Sequence, residues 1–464
     1  MHAVDVVRKK ERGETLQVHE IRRMVEGLVD GTLPEAETRA LIRAVSRRGL
    51  SEDETLALAR AIAETGDTLD LSSDLSSVPG VKVGKITTGG VGDKTSLVAL
   101  PAVAALGLPV AHVSARGLGP HAGSVDKLAA VPGFRSAIGR EAFLKQVQDI
   151  GLAVMEKPAS MAPAADRLLA VVYDAFLEEI GRAYGAEGTD GAGRKPDAAQ
   201  EGSALLPPAL GVAVFMGRLL AAGYEALLVD VKVGAGALFR SEKDARAFAE
   251  LWVRLSRRLG KKGAAVIVNM NQPHGQEVGT ANEVREAVEV LMGRGPDDVL
   301  GLSMRLGGEM LLLSETAKTI EEAVNRVYEA IRSGAALLKF KEWVERQGAD
   351  AAFIDEPALL PQPEYEAVIG AQAEGVLLPV DAGLVGAALL LAGGGRRRLD
   401  APLDLACGAT LYFKESEKVS RGEALARLVA GRDIPDEAAE MLASAFRMTD
   451  QNIMYSHTVI DVVK

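Results

Sequence analysis

The chain has 464 residues, 48% hydrophobic and 25% charged, which is too long for one compact core and balanced for a globular protein of two or three domains. Its net charge of −11 argues against a nucleic-acid partner, because phosphate backbones recruit dense Lys/Arg surfaces. The single cysteine, Cys407, excludes an internal disulfide framework, fits a reducing compartment and reads as a small buried apolar residue.

Residues Met1 to Asp5 lack the apolar core of a signal peptide, and the longest apolar run, Leu97 to Val113, is broken by Pro101, Gly107 and Pro109. Together these predict a cytoplasmic protein without a membrane span. Residues 1–70 read as all-helical. Ile21, Met24, Val25 and Leu28 share one face, Pro34 opens a further helix, and Ser51 followed by Glu52, Asp53 and Glu54 is an N-cap with acids behind it. Each of these helices has one good apolar face, which predicts a partner surface such as a second subunit.

From about Val81 short β-branched runs (Val110–Val113, Leu227–Val231, Ala265–Val268) alternate with helical patterns such as Ser241 to Leu259. That order predicts βα units with a mostly parallel sheet and ligands at the carboxyl ends of its strands. Arg182 to Ser203 carries almost no apolar anchors and reads as a flexible loop or lid. From about Ala351 the chain turns strand-rich. Glu417 to Leu425 resembles half of a biotinyl/lipoyl-type hammerhead, but the turn expected at Leu428–Gly431 has no attachment lysine. The predicted organisation is a helical domain over 1–70 with returning helices at about 163–222, the latter including a polar insertion at about 180–203. An α/β domain over 71–162 and 223–345 and a C-terminal α+β module over 346–464 complete it.

The chemistry concentrates in Lys85-Ile86-Thr87-Thr88-Gly89-Gly90-Val91-Gly92-Asp93-Lys94-Thr95-Ser96. A Walker A loop fails because Asp93 separates Gly92 from Lys94, and a dinucleotide fingerprint fails because Thr95 stands where its third glycine is needed. Glycines, hydroxyls, Lys85 and the start of a helix near Thr95 nevertheless suit an oxyanion. Ser114 to Leu128, containing Arg116, Leu118, His121 and Ser124, repeats the recipe after a predicted strand. Asp230-Val231-Lys232-Val233-Gly234-Ala235-Gly236-Ala237 follows another.

These three segments resemble, in order, the K-H-[ST]-T-G-G-V-G-D, S-G-R-G-L-G-H-T-G-G-T-x-D-K-L and D-V-K-x-G-x-G-A motifs of the thymidine and pyrimidine-nucleoside phosphorylases, over nearly the whole chain. The resemblance implies phosphorolysis, in which inorganic phosphate attacks the anomeric carbon of a nucleoside and releases free base and pentose 1-phosphate. It also implies a homodimer through the N-terminal helices and no required cofactor. It implies phosphate ligands at Lys85, Thr87, Ser96, Ser114 and Ser124, and in some members a potassium ion near Gly92, Lys94, His274, Glu277 and Glu286. Lys94 is positioned to bring its own ammonium to that place.

The leaving-group side departs from the family. Its histidine is Ile86, its base-binding arginine aligns with Tyr173, and its serine and lysine align with Val214 and Arg218; Leu118 completes the expected base pocket. Tyr173 is open to two readings, a stacking or hydrogen-bonding group and a packed helix residue. His121 is likewise either a general acid or a donor beside the phosphate. With Lys85 and Arg218 it makes up the candidate catalytic set. Lost donors on this side disfavour an ordinary uracil edge, by roughly 1–3 kcal/mol for each unpaired polar atom. An insertion of about 25 residues relative to the family, a length at which loops tend to be functional or disordered, offers Arg182, Arg194 and Lys195 as substitute contacts. Two other readings stand beside a phosphorylase of altered specificity. They are a binding homologue that has lost catalysis and an anthranilate-type phosphoribosyltransferase, which would need magnesium held by acids.

Overall fold

The computed structural model describes residues 3–117, 119–120, 122–184, 206–398 and 400–464, with backbone alone over 179–184. Leu118, His121, Arg194 and Lys195 lie outside the described residues, as does the side chain of Arg182. The helix Pro163–Tyr184 runs into the segment read as a loop, so that segment begins helical.

Four helices open the chain: Ala3–Glu11, Val18–Asp30, Glu35–Arg48 and Glu52–Ala63. Ile21, Met24, Val25 and Leu28 are buried, as their spacing requires. Ser51 Oγ accepts from Glu54 N at 3.2 Å, and the Glu54 carboxylate accepts from Ser51 N at 2.8 Å. The same carboxylate accepts from Leu16 N and from Lys10 Nζ, both at 2.9 Å, so one cap also ties the first helix to the fourth. Pro163–Tyr184 and Pro208–Ala221 return to this bundle. Gly217 permits the closest approach, since a Cβ there would stand 2.8 Å from Ile62 Cγ2 and 3.0 Å from Ala59 O.

The α/β part is built on β1 (Val83–Thr87), β2 (Val110–Ser114), β3 (Leu152–Glu156), β4 (Ala226–Val233) and β5 (Lys262–Asn269). β1, β4 and β5 are parallel neighbours in that order, and the terminal strand Val459–Val463 adds an antiparallel edge to β5. β2 and β3 form a separate parallel pair. Tyr224, just before β4, fastens that pair to the main sheet, donating to Ala111 O at 2.7 Å and accepting from Val113 N at 3.0 Å.

Strand alternation then sorts the residues. On β4, Leu227, Val229 and Val231 join the apolar cluster shared with the helical bundle. Leu228, one residue out of step, belongs to a second cluster with Val98, Val103, Val284 and Leu306 on the opposite face. β1 pairs Lys85 with Leu228, Ile86 with Val229 and Thr87 with Asp230. Lys85 and Thr87 therefore share the face of Asp230, while Ile86 turns to the bundle.

The C-terminal region supplies three strands of a four-stranded sheet completed by Glu277–Gly279, together with a three-stranded sheet and the buried helix Ala382–Ala392. The architecture is thus a helical domain, a large α/β domain with a mostly parallel sheet and a β-rich C-terminal module. One local expectation fails. Leu428 to Ala430 are not a turn but the buried end of the strand Ala424–Ala430, because Tyr365–Gly370 and Gly408–Leu411 pair with it on both sides and take up its backbone groups. Gly217→Val is expected to lower the unfolding free energy by about 1–3 kcal/mol through overpacking. Urea denaturation measures it, and an unchanged midpoint would contradict the packing of Pro208–Ala221 on Glu52–Ala63.

Candidate active site

The carboxyl end of β1 runs into the glycine loop, and the loop into the helix Thr95–Ala105. Gly89 and Gly92 take φ of +86° and +80°, and a Cβ on Gly92 would stand 2.9 Å from His274 O. Such a turn is open to glycine at little cost. It brings Lys85 Nζ to 2.8 Å from Ser96 Oγ, 3.4 Å from Thr95 Oγ1 and 3.7 Å from Asp230 Oδ2.

Asp93 organises this end of the site. Its carboxylate accepts from Thr87 Oγ1 at 3.0 Å and from Thr95 Oγ1 at 2.7 Å, and Lys232 Nζ lies 3.6 Å away. Lys127 Nζ donates to the Asp93 carbonyl at 2.6 Å and pairs with Glu283 at 3.0 Å. Burial would raise the Asp93 carboxyl, but Lys232, Lys85 and Lys127 outweigh it and hold it well below the usual range. Burial pushes the Lys85 ammonium down, with Asp93 and Asp230 opposing that shift.

A cavity of about 140 Å³ opens on this cluster. Lys85, Thr87, Ser96, Ser114 and Ser124 all line it, so the five expected phosphate ligands face one space. The backbone around Ser114 and Ser124 is tied down by Asp126, which accepts from Gly117 N at 2.6 Å and Gly123 N at 2.8 Å, and whose other oxygen meets Arg396. Arg396 also exchanges two backbone hydrogen bonds with Gly119, at 2.8 and 2.9 Å. The C-terminal module thereby braces the second glycine-rich loop.

The opposite wall is largely apolar: Ile86, Leu169, Tyr173, Phe215, Leu219 and Ala222. Tyr173 packs edge-on to Phe176 at 6.4 Å between centroids, so it is both a helix-packing residue and a wall of the cavity. Burial raises its hydroxyl to about 12, which keeps it a neutral hydrogen-bonding group. Polar groups gather at one edge, where Asp166 sits between Arg218 (2.6 Å) and Lys157 (2.8 Å). Arg218 Nε is buried without a hydrogen-bond partner among the described residues.

Val214 does not reach the cavity. It is fully buried in the bundle core, and the next residue on the helix, Phe215, faces the site instead. Four other lining residues were not singled out in the sequence as functional. Asp93 sits inside the first glycine-rich segment, whereas Asp166, Lys157 and His112 lie outside the three segments. His112 is buried and lines the cavity. Burial and the nearby Lys85 push its imidazole down to about 3, so it presents a neutral ring to the cavity.

Of the residues expected around potassium, His274, Glu277 and Glu286 surround the ammonium of Lys94, with Gly92 packed beside His274. Lys94 Nζ donates to His274 O at 2.9 Å, to Glu277 O at 2.6 Å and to the Glu286 carboxylate. Those oxygens are already used, so the arrangement does not fit an additional ion. Among the described residues no group of three His, Cys, Asp or Glu is placed to hold a metal. Cys407 is buried, and its thiol is raised to about 12 by burial, which removes it as a nucleophile.

Comparison with known proteins agrees with this layout. Residues 4–66 match the helical bundle domain of a glycosyl transferase family, 80–172 and 207–337 its α/β domain, and 377–449 a pyrimidine nucleoside phosphorylase C-terminal domain. A pyrimidine-nucleoside phosphorylase of Bacillus subtilis is 36% identical over 437 residues, 94% of each chain. The chain belongs to the thymidine and pyrimidine-nucleoside phosphorylase family. A second pyrimidine-nucleoside phosphorylase, from Staphylococcus aureus, is 36% identical over 450 residues, 97% of each chain. The crystal structure of an anthranilate phosphoribosyltransferase from Thermus thermophilus shares the fold, with a TM-score of 0.54 and 20% identity over 74% of this chain and 99% of that one. Within the phosphorylase family, the resemblance read from three glycine-rich segments thus extends along the chain.

Lys85→Ala is expected to lower kcat/KM for phosphate by about 10²–10³-fold, the usual cost of one charged transition-state donor, as measured by initial rates at varied phosphate. Because the Lys85 ammonium is pushed down from 10.5, rising pH removes its charge early. The alkaline limb of the wild-type phosphate kcat/KM profile should therefore begin below the ordinary lysine range. A limb at or above pH 10.5 would contradict the buried setting of Lys85.

Proposed function

We propose that the protein is a nucleoside phosphorylase, a pentosyltransferase, whose preferred leaving group is not that of ordinary thymidine or uridine. The observation that carries the reading is one cavity with the phosphate donors on one side and a mostly apolar wall on the other, divided by the alternation of a single strand. Phosphate sits among Lys85, Thr87, Ser96, Ser114 and Ser124 and shares its charge with the Lys85 ammonium. One phosphate oxygen forms a bond to the anomeric carbon as the bond from that carbon to the base breaks. The bonding electrons leave with the base. Held phosphate supplies both proximity and charge complementary to an oxocarbenium-like transition state.

On the leaving side, Arg218 and Lys157 are cations at the edge where the base would lie, and Arg218 Nε has no hydrogen-bond partner among the described residues. Tyr173 offers a hydroxyl and an aromatic face where a guanidinium is expected, and Ile86 offers only methyl groups. Such a wall favours a base with fewer hydrogen-bonding edges, or one modified on the face turned to Ile86. His112, neutral and lining the cavity, contributes a further hydrogen bond on the phosphate side. His121 keeps its two readings, general acid and phosphate-side donor.

The shared fold with the anthranilate enzyme supports architecture alone, and among the described residues no group of three acids or other metal ligands is placed to hold magnesium pyrophosphate. Retention of the complete phosphate set argues for an active enzyme rather than a catalytically impaired relative. We further propose a homodimer through the N-terminal helices, on which Val18 is exposed. A cytoplasmic setting fits the described residues, where no helix is long and apolar enough to cross a membrane.

The test is base release in the presence and absence of phosphate across a panel of natural and modified nucleosides. Phosphate-dependent turnover, slow with thymidine and uridine and faster with at least one modified nucleoside, is expected. The double variant Ile86→His with Tyr173→Arg should raise thymidine or uridine kcat/KM by about 10-fold or more, as two restored polar contacts would. Rapid wild-type turnover of thymidine or uridine would overturn the altered specificity, and turnover of no nucleoside would overturn the enzyme assignment.

A further inference from the structure

The loop 274–277 is folded around one positive charge. Two of its carbonyls, His274 O and Glu277 O, turn inward to Lys94 Nζ at 2.9 and 2.6 Å, and the Glu286 carboxylate completes the set. The remaining Glu286 oxygen accepts from Gln276 N at 2.8 Å and Glu277 N at 3.1 Å, so the carboxylate also fixes the loop backbone. Gly275 N is held by Asp298 at 2.9 Å. Lys414, from the C-terminal module, donates to Pro273 O and to Gly275 O at 2.7 Å. Three converging oxygens, one of them anionic, around a buried centre are the coordination environment of a monovalent cation.

The centre is not part of the cavity. Lys94 is 1% exposed and does not line the site, so it is not a phosphate ligand. Its place in the chain supplies the connection, because Lys94 lies between Asp93, which orders the cluster, and Thr95 and Ser96, which open the helix carrying the Lys85 partner. Burial opposes the Lys94 charge, but Glu286 and Glu283 outweigh it and hold the ammonium above the ordinary lysine value.

We propose that the Lys94 ammonium is a tethered replacement for a free monovalent cation, locking the glycine loop to the loop 274–277 and freeing phosphate binding from any dissolved alkali ion. An ammonium and a potassium ion are close in size and both prefer a cage of oxygens. Tethering one to the loop it must hold removes the cost of recruiting it from solution. Withdrawing it would leave Glu286 buried without its cation, the costly half of a broken pair.

The inference rests on the phosphorylase reading only in taking inorganic phosphate as the ligand; its stability and phosphate-binding readouts need no turnover. The wild-type protein is compared with Lys94→Ala and Lys94→Met in choline buffer, with and without KCl, NH4Cl or LiCl, by thermal unfolding and by calorimetric titration with inorganic phosphate. Wild-type Tm and phosphate affinity should be the same in choline and potassium. Lys94→Ala should unfold at lower temperature and bind phosphate about 10-fold or more weaker. Potassium or ammonium should restore both saturably while lithium does not. Lys94→Met, which fills the space with an apolar chain, should not be rescued. A saturable potassium requirement in the wild type would overturn the proposal, even if Lys94→Ala fails to fold. A folded Lys94→Ala that is unaffected, or that potassium does not restore, would overturn it equally. If phosphate binding follows the expected pattern but no nucleoside is turned over, the phosphorylase reading fails and the cation replacement stands.

Discussion

Everything at the phosphate end depends on keeping the Asp93 carboxylate charged in a dry place. Buried alone it would be protonated or expelled. It is retained because Lys232, Lys85 and Lys127 surround it, two threonine hydroxyls donate to it, and the chain bends to let them do so. Thr87 and Thr95 belong to opposite ends of the glycine loop, so one carboxylate closes the loop, aligns the helix behind it and sets Lys85 against Ser96. Buried ion clusters contribute little net stability relative to apolar packing. Their value here is positional, since each cation is fixed before a substrate arrives.

The same economy appears one residue later. Lys94 points away from the cavity into carbonyls of the loop 274–277, and that loop is gripped in turn by Lys414 and by the ladder between Glu277–Gly279 and Gly408–Leu411. Arg396 performs a parallel task on the second glycine-rich loop. The C-terminal module thus braces both glycine-rich segments from behind, through side chains and backbone, while contributing none of the five proposed phosphate donors.

Much of this was legible in the sequence. Helix starts at Pro34 and Ser51, the strands of the parallel sheet and the chemistry of Lys85–Ser96 follow from local rules, because each is decided by residues adjacent in the chain. β1 was not among the strands read from the sequence; its pairing with β4 is what turns Ile86 away from Lys85 and Thr87. What failed was long-range. Val214 aligned with a base contact, yet a helix offers neighbouring residues faces about 100° apart, and packing against the bundle gave the cavity to Phe215. His112 and Lys157 carry no motif and became visible only once β2 and the segment after β3 were folded against the cradle. The terminal strand Val459–Val463 lies almost two hundred residues from its partner β5, beyond the reach of periodicity.

The two halves of the proposed reaction are unequally determined for this reason. Phosphate needs charge and donors that two glycine-rich segments can encode, whereas the proposed leaving-group wall is assembled from one strand and two separate helices. Phosphorus NMR of the wild-type enzyme with a turned-over nucleoside and inorganic phosphate tests the central claim most directly. The account predicts that the phosphate resonance declines as one pentose 1-phosphate resonance grows, in step with base release. Base released while the phosphate resonance stays unchanged would contradict it, because the cradle around Asp93 and Lys85 would then be holding something other than the attacking nucleophile.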